Sequence, residues 1–208
     1  MKEHILPWWF RKRDEEVRLP ARPDYTVVST INNKLIALLR RNMVPKAISG
    51  REEIGLCSPR DHGDMLLGVY LYDICENDTI RMSGMQPYDS GHVQFPPMYL
   101  ELYYMITAYS NIDIRYREEE NHRILTRTMQ VLHDYPQMEG EDPIHVEYQN
   151  LTLDQKSAIW HNLGGEYRLS LFYKITPVKL ESTIRKETVR VQEIQVNAFP
   201  TADEEKED

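Results

Sequence analysis

Hydrophobic positions along the chain change period several times, and each change marks an element. Over residues 25–43, Val28, Ile31, Leu35, Leu38 and Leu39 recur at steps of three and four, the spacing of one helical face. Ser29 or Thr30 is the expected cap and Pro45 follows the end. Arg40 and Arg41 fall in the last turn, where the helix dipole favours cations. Gly50, Gly55, Pro59 and Gly63 break any period over residues 46–64, which reads as a loop. Residues 65–74 are apolar on both faces and predict a buried strand. A second loop, rich in proline and glycine, covers 75–97.

Residues 98–107 alternate. Met98, Leu100, Leu102, Tyr104 and Ile106 share one side of a strand; Tyr99, Glu101, Tyr103, Met105 and Thr107 share the other. The second side is amphipathic and suits water, a helix or another subunit. Over 118–134 the helical period returns, with Leu125, Met129 and Leu132 as the stripe and Ile124 and Val131 widening it. Glu118, Glu119 and Glu120 are expected in its first turn, and Pro136 stops it. Ile144, Val146 and Tyr148 alternate with polar residues in a third strand. Thr152 and Gln155 form a capping-box pattern ahead of a helix carrying Leu153, Trp160 and Leu163, closed by Gly164-Gly165. A fourth strand over 168–178 presents Leu169, Leu171, Tyr173 and Ile175 on one face.

This order predicts an α+β fold, a mostly antiparallel sheet with helices on one face. It also divides the chain into an N-terminal arm, 1–23, a main domain, 24–180, and a C-terminal strand with an acidic tail, 181–208. The arm has no period but holds Trp8, Trp9 and Phe10 together, followed by Arg11-Lys12-Arg13. Three adjacent aromatics need cover. Either they pack on their own domain, or they anchor a neighbouring subunit, since aromatics dominate interface energetics. Residues 188–198 are strand-like but out of phase: Val189 and Val191 share one parity, Ile194 and Val196 the other. A bulge would restore one face; alternatively the segment adds to a neighbour's sheet edge. These seven residues, Trp8, Trp9, Phe10, Val189, Val191, Ile194 and Val196, are the candidate subunit contacts.

Composition narrows the function. A formal charge of -8 argues against a nucleic-acid binder, which needs a basic face. The two cysteines, Cys57 and Cys75, have neither metal spacing nor the density of a disulfide scaffold, and read as reduced thiols of a protein made in a cytoplasm. The apolar run at 5–10 is too short to span a bilayer and has no cleavage pattern, so neither a secretory signal nor membrane insertion is expected.

Catalytic chemistry finds little to use. There is no GxxxxGK[ST], GxGxxG, GxSxG or HExxH. His122 and His133 share a helix face but are eleven residues apart, about 16 Å along the axis, too far for one ion. Asp61, His62 and Asp64 are the best local group of ligand types, and Glu101 and Glu147 form a carboxylate pair if their strands are neighbours. At helical spacing with Leu153 and Leu163, Trp160 reads as core. The reading is a non-enzyme with no cofactor and no metal; a metal-dependent enzyme centred on Asp61, His62 and Asp64 is the enzymatic alternative.

Four stretches resemble one family. They are Leu71-Tyr72-Asp73-Ile74 through Asn77; Pro96-Pro97-Met98 through Tyr109; His122-Arg123-Ile124-Leu125 through Pro136; and Leu151 through Trp160, continuing by Leu163-Gly164 and Tyr167-Arg168-Leu169-Ser170 to Pro177-Val178. In this order and spacing, over residues 24–180, they are similar to the cap, or tail-terminator, proteins of extracellular contractile injection systems, which are phage-tail-like particles. Ala108 stands where the family has proline and Asn121 where it has glutamate. The resemblance implies a tail-terminator-like fold and a structural role: a hexameric ring that ends the inner tube and joins it to the sheath. It implies as partners further copies of the chain, the inner tube protein, the sheath protein and a second cap protein, in a particle built in the cytoplasm and either released or kept inside its producer. A neck or tail-completion protein of a contractile-tailed phage is the neighbouring alternative.

Overall fold

The computed structural model describes residues 25–89, 91–138 and 143–187. Helix α1 spans Val27–Met43 and buries Ile31, Leu35, Ile36, Leu39 and Met43. It starts at Thr26, so Ser29 and Thr30 lie inside it rather than capping it. It ends because Val44 precedes proline and takes extended backbone, as a residue before proline prefers. After a 3-10 turn at Arg51–Glu53 comes a short strand, β1, Ile54–Leu56, inside what reads from sequence as loop.

Strand β2, Leu67–Glu76, pairs antiparallel with β5, Met98–Ala108, and β1 adds to it in parallel over Leu67 to Val69. Between them lie two further short strands, β3 at Gln86–Pro87 and β4 at His92–Gln94. Helix α2, Ile114–Asp134, is followed by β6, Gln137–Met138, and β7, Ile144–Tyr148. Helix α3, Leu153–Asn162, leads to β8, Ser170–Leu180, and then to β9, Arg185–Glu187. The main sheet has six strands in the order β1-β2-β5-β8-β7-β6, antiparallel except at β1–β2; a second, small sheet joins β3, β4 and β9. The fold is α+β with a mostly antiparallel sheet.

One face of that sheet meets α1 and α2. Leu100, Leu102, Tyr104 and Ile106 of β5 and Leu171, Tyr173, Ile175 and Val178 of β8 pack with both helices in one apolar cluster. Pro177 breaks no ladder at a cost, because β8 bulges there: Leu100 faces Val178, while Leu102 faces Ile175. The opposite face, left open by sequence, divides in two. At one end Met105 and Phe172 lie under Trp160 of α3; at the other the face is polar. The two long helices therefore share one side and the short helix covers part of the other.

Some local expectations change. Helix α2 begins at Asp113, whose side chain accepts from the Arg115 amide at 3.0 Å, so Glu118 to Glu120 sit past the first turn. Its buried stripe is Ile124, Leu125, Thr128, Val131 and Leu132, and Met129 is exposed. Leu153 and Leu169, expected to face inward, are also exposed.

Candidate assembly surfaces

The polar half of the second sheet face is built on β8. Strands β5 and β7 both flank it, so Glu101 and Glu147 come to stand on either side of Lys174. Its Nζ lies 3.3 Å from Oε1 of Glu101 and 3.4 Å from Oε2 of Glu147. Glu101 also accepts from Tyr103 Oη at 2.6 Å and from Asn77 Nδ2 at 3.1 Å, and Asn77 reaches Thr176 Oγ1 at 3.2 Å. Burial alone lowers the Lys174 pKa, but the hydrogen bonds and charges of the two carboxylates outweigh it and raise it. The hydrogen bond to Glu101 pushes the Tyr103 phenol well above its ordinary value. These carboxylates thus act as acceptors for a lysine, an amide and a phenol.

The loop cluster takes a structural part too. His62 stacks on Tyr109, centroids 4.0 Å apart, and Asp61 forms an isolated bridge with Ser58. Among the described residues no group of three His, Cys, Asp or Glu side chains could hold a metal ion. The thiols are not activated: burial, with Asp61 nearby, raises the pKa of Cys57, and Cys75 is raised by desolvation and by Asp73. Trp160, 2% exposed, is core as its spacing suggests. No described helix is long and apolar enough to cross a membrane.

Three surfaces remain without a partner in the chain's described part. The first is the edge of β2: beyond Val69, no described strand pairs with it on the side away from β5. Such an edge offers free backbone groups to an incoming strand. The second is a groove of 640 Å³ lined by Tyr25, Ile80, Met82, Phe95, Met98 and Ile184. Its side chains are unusually open for their size: Tyr25 is 90% exposed, Ile184 54%, Phe95 51% and Met98 46%. Glu76 and Glu181 line it as well. The third is a groove of 680 Å³ beside α1, with Lys34, Arg40, Arg41 and Arg51 in its walls. Charge totals give no sign of this basic patch. Two of its cations have structural work, since Arg40 Nε donates to the Ile54 carbonyl at 2.9 Å and the Arg41 guanidinium lies 5.8 Å above the Tyr135 ring.

Neither groove was found from sequence, because each is made by elements distant in the chain. The seven residues singled out there as contacts, Trp8, Trp9, Phe10, Val189, Val191, Ile194 and Val196, lie outside the described residues.

A family model described as the Pvc16 N-terminal domain matches residues 30–193. The fold is similar to that of the PVC sheath/tube terminator in its extended state, from an extracellular contractile injection system, with a TM-score of 0.64, 19% identity, and 84% of this chain and 64% of that chain covered. It is also similar to the tube-terminating cap of the anti-feeding prophage, with a TM-score of 0.61, 18% identity, and 86% and 63% covered. In both comparisons the chain spans less than two thirds of the other protein's length. A search of curated proteins finds no significant match.

Proposed function

This chain belongs to the Pvc16 N-terminal domain family, and from that premise we propose that it is a cap subunit of a contractile injection particle. In this reading several copies, six by the family's pattern, close into a ring that ends the inner tube and joins it to the sheath. The observation that carries it is the shared fold with two tube-terminating proteins of such particles over more than four fifths of the chain. Three unpartnered surfaces on a domain with no activated nucleophile or metal cluster among its described residues support a structural role. A closed ring needs two different, complementary faces on each subunit. The free edge of β2 is one such face. Its complement in our reading is the segment of a neighbour holding Val189, Val191, Ile194 and Val196. Tube protein and sheath protein, together with a second cap protein, are the partners.

The test is the mass of the purified protein by light scattering, with negative-stain images of the same fraction. A mass near six times 24.6 kDa, with ring-shaped particles, is the expected result. If the protein stays monomeric, purified tube is added and tube ends are examined for bound density. A monomer that also leaves tube ends bare would overturn the cap reading.

A further inference from the structure

We propose that the apolar groove between β2, the start of β5 and residues 182–184 is the seat of Trp8, Trp9 and Phe10 of the same chain. The groove is an open apolar surface in a volume of 640 Å³, with Phe95, Met98, Met82 and Ile184 each more than two fifths exposed. Open apolar area of this kind on one side of a small domain calls for cover. The arm carries what fits: three consecutive aromatics, each able to bury about 150–250 Å².

Geometry ties the arm to this groove. Tyr25, the first described residue, lines it, so the chain enters the domain at the groove itself. Fourteen residues, 11–24, separate Phe10 from Tyr25. Fully extended they reach about 50 Å, far more than folding back requires. A tether of this length holds its end at an effective concentration in the millimolar range, about a thousandfold above a second copy present at micromolar concentration. In the free subunit, mass action therefore favours the chain's own arm.

Charge agrees. Directly after the aromatics come Arg11, Lys12 and Arg13, and the groove carries Glu76 and Glu181. Arg81 in the groove is held by Asp78 and lies 3.9 Å from Glu76, and Lys179 pairs with Glu181 at 2.6 Å, so the arm's triplet would join acids that each already have one cation nearby. Arm aromatics in the groove place the basic triplet within reach of those acids.

The arm holds its own reporter. Trp8, Trp9 and Trp160 are the only tryptophans, and Trp160 is core. Subtracting the emission of the Trp8→Phe/Trp9→Phe variant from that of the unchanged protein isolates the arm. The expected difference spectrum is blue-shifted and several-fold less quenched by acrylamide than a free indole. Phe95→Glu, at an exposed position, shifts it to long wavelength with circular dichroism unchanged; Ile184→Glu does the same. Mixing the Phe95→Glu chain with an excess of Trp8→Phe/Trp9→Phe chain, whose groove is intact, leaves the signal at long wavelength. A solvent-exposed difference spectrum in the unchanged protein overturns the proposal. So does a blue shift that survives both groove variants, which seats the arm elsewhere. Recovery of the blue shift in the mixture seats it in a second copy and overturns the assignment to the same chain.

Discussion

Nζ of Lys174 lies 3.3 Å from Oε1 of Glu101, across the ladder between the two longest strands of the sheet. With Glu147 it closes a network in which every member has partners, on a face that is otherwise the open half of the domain. Replacing Lys174 with Met leaves two carboxylates facing each other without their cation. The expected loss is about 1–2 kcal/mol in urea unfolding, since partly buried charges retain some solvent screening. Adding Glu101→Gln to that variant recovers part of it. Because the Lys174 pKa is raised on folding, its contribution is fully present below the ordinary lysine value and fades as pH rises through the raised one. The gap between wild type and Lys174→Met therefore narrows at strongly alkaline pH.

Gly68 has no room for a side chain. A Cβ there meets Sγ of Cys57 and stands 2.9 Å from Cε2 of Tyr109. Gly68→Ala is expected to cost about 1–3 kcal/mol by overpacking. Cys57→Ala in the same chain removes one of the two obstacles and returns part of the loss, so the two changes couple in a double-mutant cycle of urea midpoints.

Trp160 packs on Met105 and Phe172 and also bounds Gly165, where an added Cβ would be 3.0 Å from Trp160 Cε3. Trp160→Ala should cost about 3–5 kcal/mol and loosen α3. Its Nε1 is buried with no hydrogen-bond partner among the described residues. Trp160→Phe removes that donor, so the expected cost is only about 1 kcal/mol. Thermal unfolding of the two variants separates the cases; near-equal losses would show that the indole nitrogen has a role the packing does not display.

Asp61 and Asp64 belong to no group of three metal-ligand side chains among the described residues, while His62 stacks on Tyr109. Asp61→Asn with Asp64→Asn should leave the unfolding free energy within about 0.5 kcal/mol of wild type, and the melting temperature unmoved by added divalent ions. His62→Ala should cost about 0.5–1.5 kcal/mol through the lost ring contact. A metal-dependent rise in melting temperature that the double Asn variant abolishes would instead support the metal-dependent alternative centred on Asp61, His62 and Asp64.

Local signals in the sequence survive folding where they are self-contained. The capping box is one: Gln155 N–H donates to Thr152 Oγ1 at 3.3 Å and Thr152 N–H to Gln155 Oε1 at 2.9 Å. The glycine stop is another, with Gly164 at φ +70, a backbone region that suits glycine. The alternation of β5 holds from Leu100 to Ile106, whose even-numbered residues join the main core while Met105 faces the other side, and fails at Met98, which is exposed. What stayed hidden depends on partners remote in the chain. Three residues at Ile54 read as loop because only parallel pairing to β2 makes them a strand. The stripe of α2 shifts off Met129 because Thr128 can be buried: its hydroxyl donates to the Ile124 carbonyl at 2.9 Å and so needs no water. The start of α2 was masked by three consecutive glutamates, while the true cap, Asp113, precedes the exposed side chains Ile114 and Tyr116. The assembly surfaces were illegible for the same reason, since the groove joins Tyr25, Phe95 and Ile184 from three separate regions.

The place of β8 between β5 and β7 has a consequence in time. As the chain grows, β2 and β5 can pair early, but the other long edge of β5 stays bare until residues 170–180 have been made, and β7 has no long neighbour before then. Residues 109–169, sixty-one in all, separate the end of β5 from the start of β8, so the sheet closes late and through distant contacts, which slows folding and exposes apolar edge in the interim. During that interval the nascent subunit is at its most prone to associate wrongly, and insertion of one strand ends it.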